Sequence, residues 1–160
     1  MLTFQTLLLL LVFGERSHQM AAELPLYAIR LLLPLELLPK YAAWAEGVLS
    51  AGGAQQDDVL MFVMLWRIDA GDYAGALDAG RHALRHGWVM PIGNRNVQTV
   101  LAEEIADSAQ TALLTKAAFD ADLLLQTLDL ISDHDMPDQS RARLHKAIGL
   151  LLIESSPASA

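Results

Sequence analysis

Between Leu37 and Asp107 the residues that start helices, stop them and give them an apolar face all agree, which leaves little room for anything but packed helices. Pro39 suits a first helical turn, and Tyr41, Trp44, Ala45, Val48 and Leu49 fall on one stripe before Gly52 and Gly53. Gln56, Asp57 and Asp58 place capping and acidic side chains at the positive end of a second helix. That helix, Val59 to Ile68, is apolar nearly all round and is therefore predicted to be buried. Ala70 and Gly71 end it, and Asp72 caps a third helix with an inward face of Tyr73, Ala76, Leu77, Gly80 and Leu84, closed by His86 and Gly87. The span Gln56 to Gly87 thus reads as an antiparallel helix pair with a very short turn. Trp66, Gly71, Tyr73, Ala76, Leu77 and Ala83 echo the spacing of a tetratricopeptide unit. One copy is visible where stacked arrays need about three, so the expectation is a single tetratricopeptide-like hairpin.

Beyond a turn-rich loop, Trp88 to Asn96, the stretch from Val97 to about Ala118 reads as a long amphipathic helix. Phe119 to Ile131 reads as another, either separate from it or continuous with it. Asp133, His134 and Asp135 break the pattern, and Pro137 opens a last helix carrying Leu144, Ala147, Ile148 and Leu151. Residues 1–36 differ: they are Leu-rich and aperiodic, and Pro25 and Pro34 are expected to interrupt any long helix. The expected organisation is an atypical segment, 1–36, a helical domain, 37–153, and a fraying tail, 154–160. Few β-branched residues and many Leu and Ala favour helix in the same way, so the fold class is all-α, one bundle of about six helices.

The 160 residues hold no cysteine, which excludes a disulfide framework or thiolate zinc site and fits a reducing cytoplasm. A net charge of −8 excludes coating by nucleic acid through bulk attraction, so any DNA contact must be local. The apolar run Leu7–Phe13 is too short to cross a bilayer, which takes roughly 20 residues, and no basic residue precedes it as in a secretory signal. No membrane partner is expected.

His82 and His86 lie four apart on one helical face, but no Glu stands between them, and Arg81 and Arg85 alongside oppose a divalent cation. What survives is a small basic stripe, Arg81, His82, Arg85 and His86, which could meet phosphate or could merely complement its helix dipole. Asp133, His134, Asp135 and Asp138 are the densest acidic cluster. Carboxylates beside a His suit a magnesium-dependent nuclease, whereas acids just ahead of a Pro also suit a plain helix start. Glu103, Glu104 and Asp107 could add carboxylates or form a solvated helix face, and Trp44, Trp66 and Trp88 read as core or interface anchors.

The strings LLPKYAAWAEGVL, QDDVLMFVMLWRIDAGDYAGAL, ALRHGWVMP, LAEEIAD and HDMPDQSRARLHKAIG closely resemble the small terminase, or terminase endonuclease, subunit of temperate tailed phages with cohesive-end genomes. The resemblance runs from about Leu37 to Gly149. It implies viral DNA packaging: recognition of phage DNA at the cohesive-end site and direction or performance of cleavage there, in an oligomer working with a large ATPase subunit in the host cytoplasm. Under that reading the DNA-contact candidates are Arg81, Arg85, His86, Arg95, Arg141, Arg143 and Lys146. Asp133, His134 and Asp135 are the catalytic candidates; no cofactor is expected, with magnesium needed only for a nuclease. Members usually carry a Lys/Arg-rich helix ahead of the LLPKYAAW block, where this chain reads LYAIRLLLPLE. The alternative is a tetratricopeptide-like adaptor that binds a partner peptide and no DNA.

Overall fold

The computed structural model describes residues 26–156; the run Leu7–Phe13 and residues 157–160 lie outside them. Among the described residues the chain forms six α-helices and no strand: α1 (Leu26–Ala51), α2 (Asp58–Asp69), α3 (Tyr73–Arg85), α4 (Val97–Thr115), α5 (Ala121–Ile131) and α6 (Asp138–Ser155). None of these helices is long and apolar enough to cross a membrane.

The first helix departs from expectation. Pro34 does not interrupt it and Pro39 does not open it, since α1 runs through both. Each proline removes one ladder bond, and the surrounding unbranched Leu and Ala are good enough helix formers to carry the chain on. On the stripe expected to face inward, Ala45 is buried and Tyr41, Val48 and Leu49 are half-buried, but Trp44 is 54% exposed. An indole carries a donor that an apolar face cannot satisfy. Trp44 Nε1 instead donates to the Asp57 carboxylate, 3.1 and 3.2 Å from its two oxygens.

That same carboxylate starts α2. Asp57 has extended backbone angles and its Oδ1 accepts from the Leu60 amide at 2.8 Å, satisfying one of the donors a helix start leaves open. The apolar run behind it is buried as its composition requires, with Leu60, Met61, Val63 and Met64 fully enclosed. Arg67 is enclosed with them, and its planar fork reaches three ways. Nη1 donates to the Gly75 carbonyl at 3.0 Å, Nη2 lies 3.5 Å from Glu46, and Nε lies 3.6 Å from Asp72. One guanidinium thereby ties α1, α2 and α3 together.

Three helices end alike. After α2, the Asp72 amide bonds back to the Arg67 carbonyl at 2.8 Å and Gly71 to Ile68 at 3.0 Å, with Gly71 at φ +83°. After α3, Trp88 bonds to Ala83 and Gly87 to Leu84, with Gly87 at φ +66°. The third case carries no glycine. Ala117 bonds to Ala112 at 2.8 Å and Lys116 to Leu113 at 3.3 Å, with Lys116 itself left-handed at φ 55°. This motif closes α4 at Thr115, and Asp120 then caps α5 through the Asp122 amide. The stretch from Val97 to Ile131 is therefore two helices with a sharp break, not one.

α3 meets α4 closely at Gly80, where a Cβ would sit 2.6 Å from Leu101 Cδ1, a fully buried side chain. The last three helices form a unit in which α5 packs against both α4 and α6. Gln98 reaches the Asp135 carbonyl, Glu103 reaches Ser140 and Asp107 reaches Arg143, at sequence separations of 37, 37 and 36. A constant separation means that α4 and α6 run parallel, so their N-terminal ends lie side by side. Leu101, Ile105, Leu124, Ile131 and Leu144 fill the space between the three.

A side chain in the left-handed region costs roughly 1 kcal/mol that glycine avoids. Lys116→Gly is expected to raise stability by about that amount and Gly87→Ala to lower it by about as much, read from denaturant midpoints at unchanged slope.

Candidate nucleic-acid interface

α3 turns Ala76, Leu77, Ala79, Gly80, His82 and Ala83 inward. Arg81 and Arg85, four residues apart, are exposed on its opposite face. The basic stripe expected from sequence is thus split. His82 is buried, with Nε2 2.9 Å from the Gly53 carbonyl, so that nitrogen carries the proton and donates. Its ring meets those of His86 at 4.6 Å and Trp88 at 4.8 Å. Trp88 Nε1 donates to the Ala54 carbonyl at 2.8 Å. Gln56 completes the clamp, donating to the Val89 carbonyl at 2.8 Å and accepting from the Val89 amide at 3.0 Å. These bonds pin the α1–α2 turn to the end of α3 and leave Arg81 and Arg85 on a stiff support. Arg81 bonds Asp78 at 2.9 Å, whereas Arg85 is exposed and forms no ion pair among the described residues; His86 is half-buried at the helix end.

Most of the other candidates gather where α4 and α6 begin. Arg95 forks onto two carboxylates, Glu103 at 2.8 Å and Glu104 at 2.9 Å. Glu103 also accepts from the Ser140 hydroxyl at 2.6 Å, and Arg143 lies 3.3 Å from Asp107. Arg141 donates to the His134 carbonyl at 2.7 Å. Lys146 is exposed on the following turn of α6. Glu103 and Glu104 are therefore not the solvated helix face that their spacing allowed; their side chains are 18% and 19% exposed and bind the α3–α4 loop. Burial works against the Glu103 carboxylate, but the hydrogen bonds from Ser140 and Arg95 and the charges of Arg95 and Arg143 outweigh it and hold its pKa below the ordinary value. For Arg95, burial likewise opposes the charge, and the two glutamates more than restore it, so its pKa lies above the ordinary value.

The acidic loop stands at the same end. Asp133 and Asp135 are exposed and His134 half-buried, and the backbone carbonyls of His134 and Asp135 accept from Arg141 and Gln98. Pro137 occupies the cap position of α6 with no side-chain capping bond, so the acids ahead of it do not cap the helix through their side chains. Asp138 sits in the first turn, where its charge complements the dipole. Among the described residues no group of three or more His, Asp or Glu is placed to hold a metal ion, so the loop does not by itself fit bound magnesium. Sequence reading missed Arg67, Gln56 and the inward role of His82. A lone Arg inside the apolar run Val59 to Ile68 was the one available signal.

Comparison with known proteins decides the family. The model of the family described as "Phage small terminase subunit" matches residues 18–139. The chain belongs to the phage small terminase subunit family. Within it, a curated relative from Escherichia phage P2, named "Terminase, endonuclease subunit", is 46% identical over 125 residues. That alignment takes in 78% of this chain and 51% of the relative, so the chain spans about half the relative's length. No solved structure matches. The family match begins inside the Leu-rich segment and ends in the first turn of α6, so it includes Arg81, Arg85, Arg95 and the Asp133–Asp135 loop.

The depressed Glu103 carboxyl makes a pH prediction. Unfolded, the group titrates at its ordinary value, and folded it titrates lower, so its stabilisation is complete above the unfolded value and is lost as pH falls through the folded one. Thermal melts between pH 7 and pH 3 are expected to show wild type ahead of Glu103→Gln at neutrality and the gap closing on acidification. A gap that stayed constant across this range would show that the carboxylate charge contributes nothing.

Proposed function

We propose that this chain acts in viral DNA packaging as a small terminase subunit, binding duplex DNA near the cohesive-end site and presenting it to a large ATPase subunit. The observation that carries the reading is the family match over residues 18–139. The structure adds a physical role, because the buried side of α3 is clamped while Arg81 and Arg85 stand outward one turn apart, a spacing that suits phosphate contacts rather than base reading. His86, Arg95, Arg141, Arg143 and Lys146 are secondary contacts, several of them shared with carboxylates or carbonyls of the chain itself. Sister copies are proposed to supply the avidity that a chain of net charge −8 lacks, in the cytoplasm of the host cell. Should this subunit also cut, Asp133, His134 and Asp135 are the proposed catalytic groups; the carbonyls of His134 and Asp135 accept from Arg141 and Gln98, which tie the loop to the start of α6 and α4.

Arg81→Ala with Arg85→Ala is expected to weaken binding to cohesive-end duplex and to flatten the plot of log affinity against log salt by up to ~0.9 per lost phosphate contact. An unchanged slope would reject these two residues as contacts. Absence of any duplex affinity, with a peptide held in a helix groove instead, would favour the adaptor reading. For cleavage, the purified chain with magnesium and no large subunit is incubated with the same duplex; nicking that Asp135→Ala abolishes would assign the loop.

A further inference from the structure

Three cations that the DNA reading needs are already occupied within the chain. Arg81 is bonded to Asp78 at 2.9 Å, Arg95 to Glu103 and Glu104 at 2.8 and 2.9 Å, and Arg143 lies 3.3 Å from Asp107. Each partner is a carboxylate, an oxyanion that competes with phosphate for the same guanidinium donors. The pairs differ in strength. The carboxylates of Arg95 are largely enclosed, and Glu103 also accepts from Ser140, making that pair part of the α4–α6 support. Asp78 and Asp107 are 63% and 54% exposed, and each has a single arginine partner that is itself nearly half exposed. Pairs of that kind contribute little to folding and exchange readily with solvent ions.

Resting on the DNA-binding reading above, we propose that Asp78 and Asp107 are built-in competitors for the DNA backbone: they occupy Arg81 and Arg143 in the free protein, and a phosphate must displace them for the duplex to bind. The arrangement sets a threshold. An isolated phosphate or random polyanion has to compete at one arginine at a time, whereas a duplex that spans several arginines displaces the carboxylates together. Partner exchange also blunts salt dependence, because the arginine that takes a phosphate leaves behind a carboxylate that draws a cation from solution. The chain gains selectivity for a correctly placed duplex at the cost of affinity for any single phosphate.

The test measures duplex affinity across a salt series for wild type, Asp78→Asn, Asp107→Asn and the double variant. Asp129→Asn is the control, since Asp129 is exposed on α5 and has no ion pair among the described residues, so the variant makes the same change in net charge without releasing one of these arginines. Asp78→Asn and Asp107→Asn are each expected to tighten binding by about two- to fivefold beyond the control, the range that an exposed ion pair is worth. The double variant should combine the two effects and steepen the salt slope, and Arg143→Ala placed on Asp107→Asn should remove that variant's gain. Equal tightening by Asp107→Asn and Asp129→Asn would overturn the proposal while leaving DNA binding in place. No binding by wild type or any variant would instead reject the DNA reading beneath it. Circular dichroism melts of each variant, expected to follow that of wild type closely, separate a released arginine from a disturbed fold.

Discussion

The clamp at the α1–α2 turn is the interaction on which the rest depends. α1 packs mainly on α2, so its place in the bundle is set by that one face and by what holds its end. His82, Trp88 and Gln56 hold it by bonding the backbone of Gly53, Ala54 and Val89, exposed groups that would otherwise bond water. At Gly53 and Ala54 the clamp uses backbone carbonyls alone, whereas Gln56 of the same turn contributes its side chain. The constraint lies on His82 and Trp88, whose rings meet edge to face beneath the end of α3. It also explains why a helix with two outward arginines should contain an inward histidine: the ring is a structural donor, and its neighbours in sequence remain available for charge.

The charge distribution carries a similar division of labour. With carboxylates in excess, a chain of this kind would repel nucleic acid unless its cations were concentrated and oriented. Concentration occurs where α4 and α6 start together, and orientation comes at Arg95, which Glu103 and Glu104 hold in a fixed direction. Two of the acids that lower the net charge therefore arrange one of the positive groups. Arg67 is the buried extreme of this pattern, its charge offset by Glu46 and Asp72 at longer range and its fork used for packing three helices rather than for recognition.

Much of the fold was legible because local and global signals coincided. Asp57 and Asp72 cap the helices that their positions implied, and the all-round apolar run after Asp58 is buried. The turn at Gly71 and the end at Gly87 lie where the glycines stand. What stayed hidden depended on contacts distant in sequence or on residues acting out of type. Lys116 ends a helix in a conformation for which glycine is the usual signal, so the break before α5 had no marker. Trp44 obeyed the helical period and still faces water, because its donor finds Asp57 across a turn. Pro34 and Pro39 were overridden by helix-forming neighbours. At the candidate site, Arg81 and Arg85 could be read from spacing, whereas the pairing of Glu103 with both Arg95 and Ser140 required knowing that α4 and α6 run parallel.

Asp57 has a consequence of its own. One carboxylate both nucleates α2 through the Leu60 amide and fixes the indole of Trp44 on the surface. Asparagine or serine would still cap the helix yet lose the charged grip on the ring, and alanine would lose both. The two roles are therefore coupled in one direction only: a change at position 57 can loosen the outer aromatic while sparing the inner helix, but none can remove the cap and keep the charged grip. Only a lineage that lost the cap itself would need a second mutation to restore the bundle beneath it.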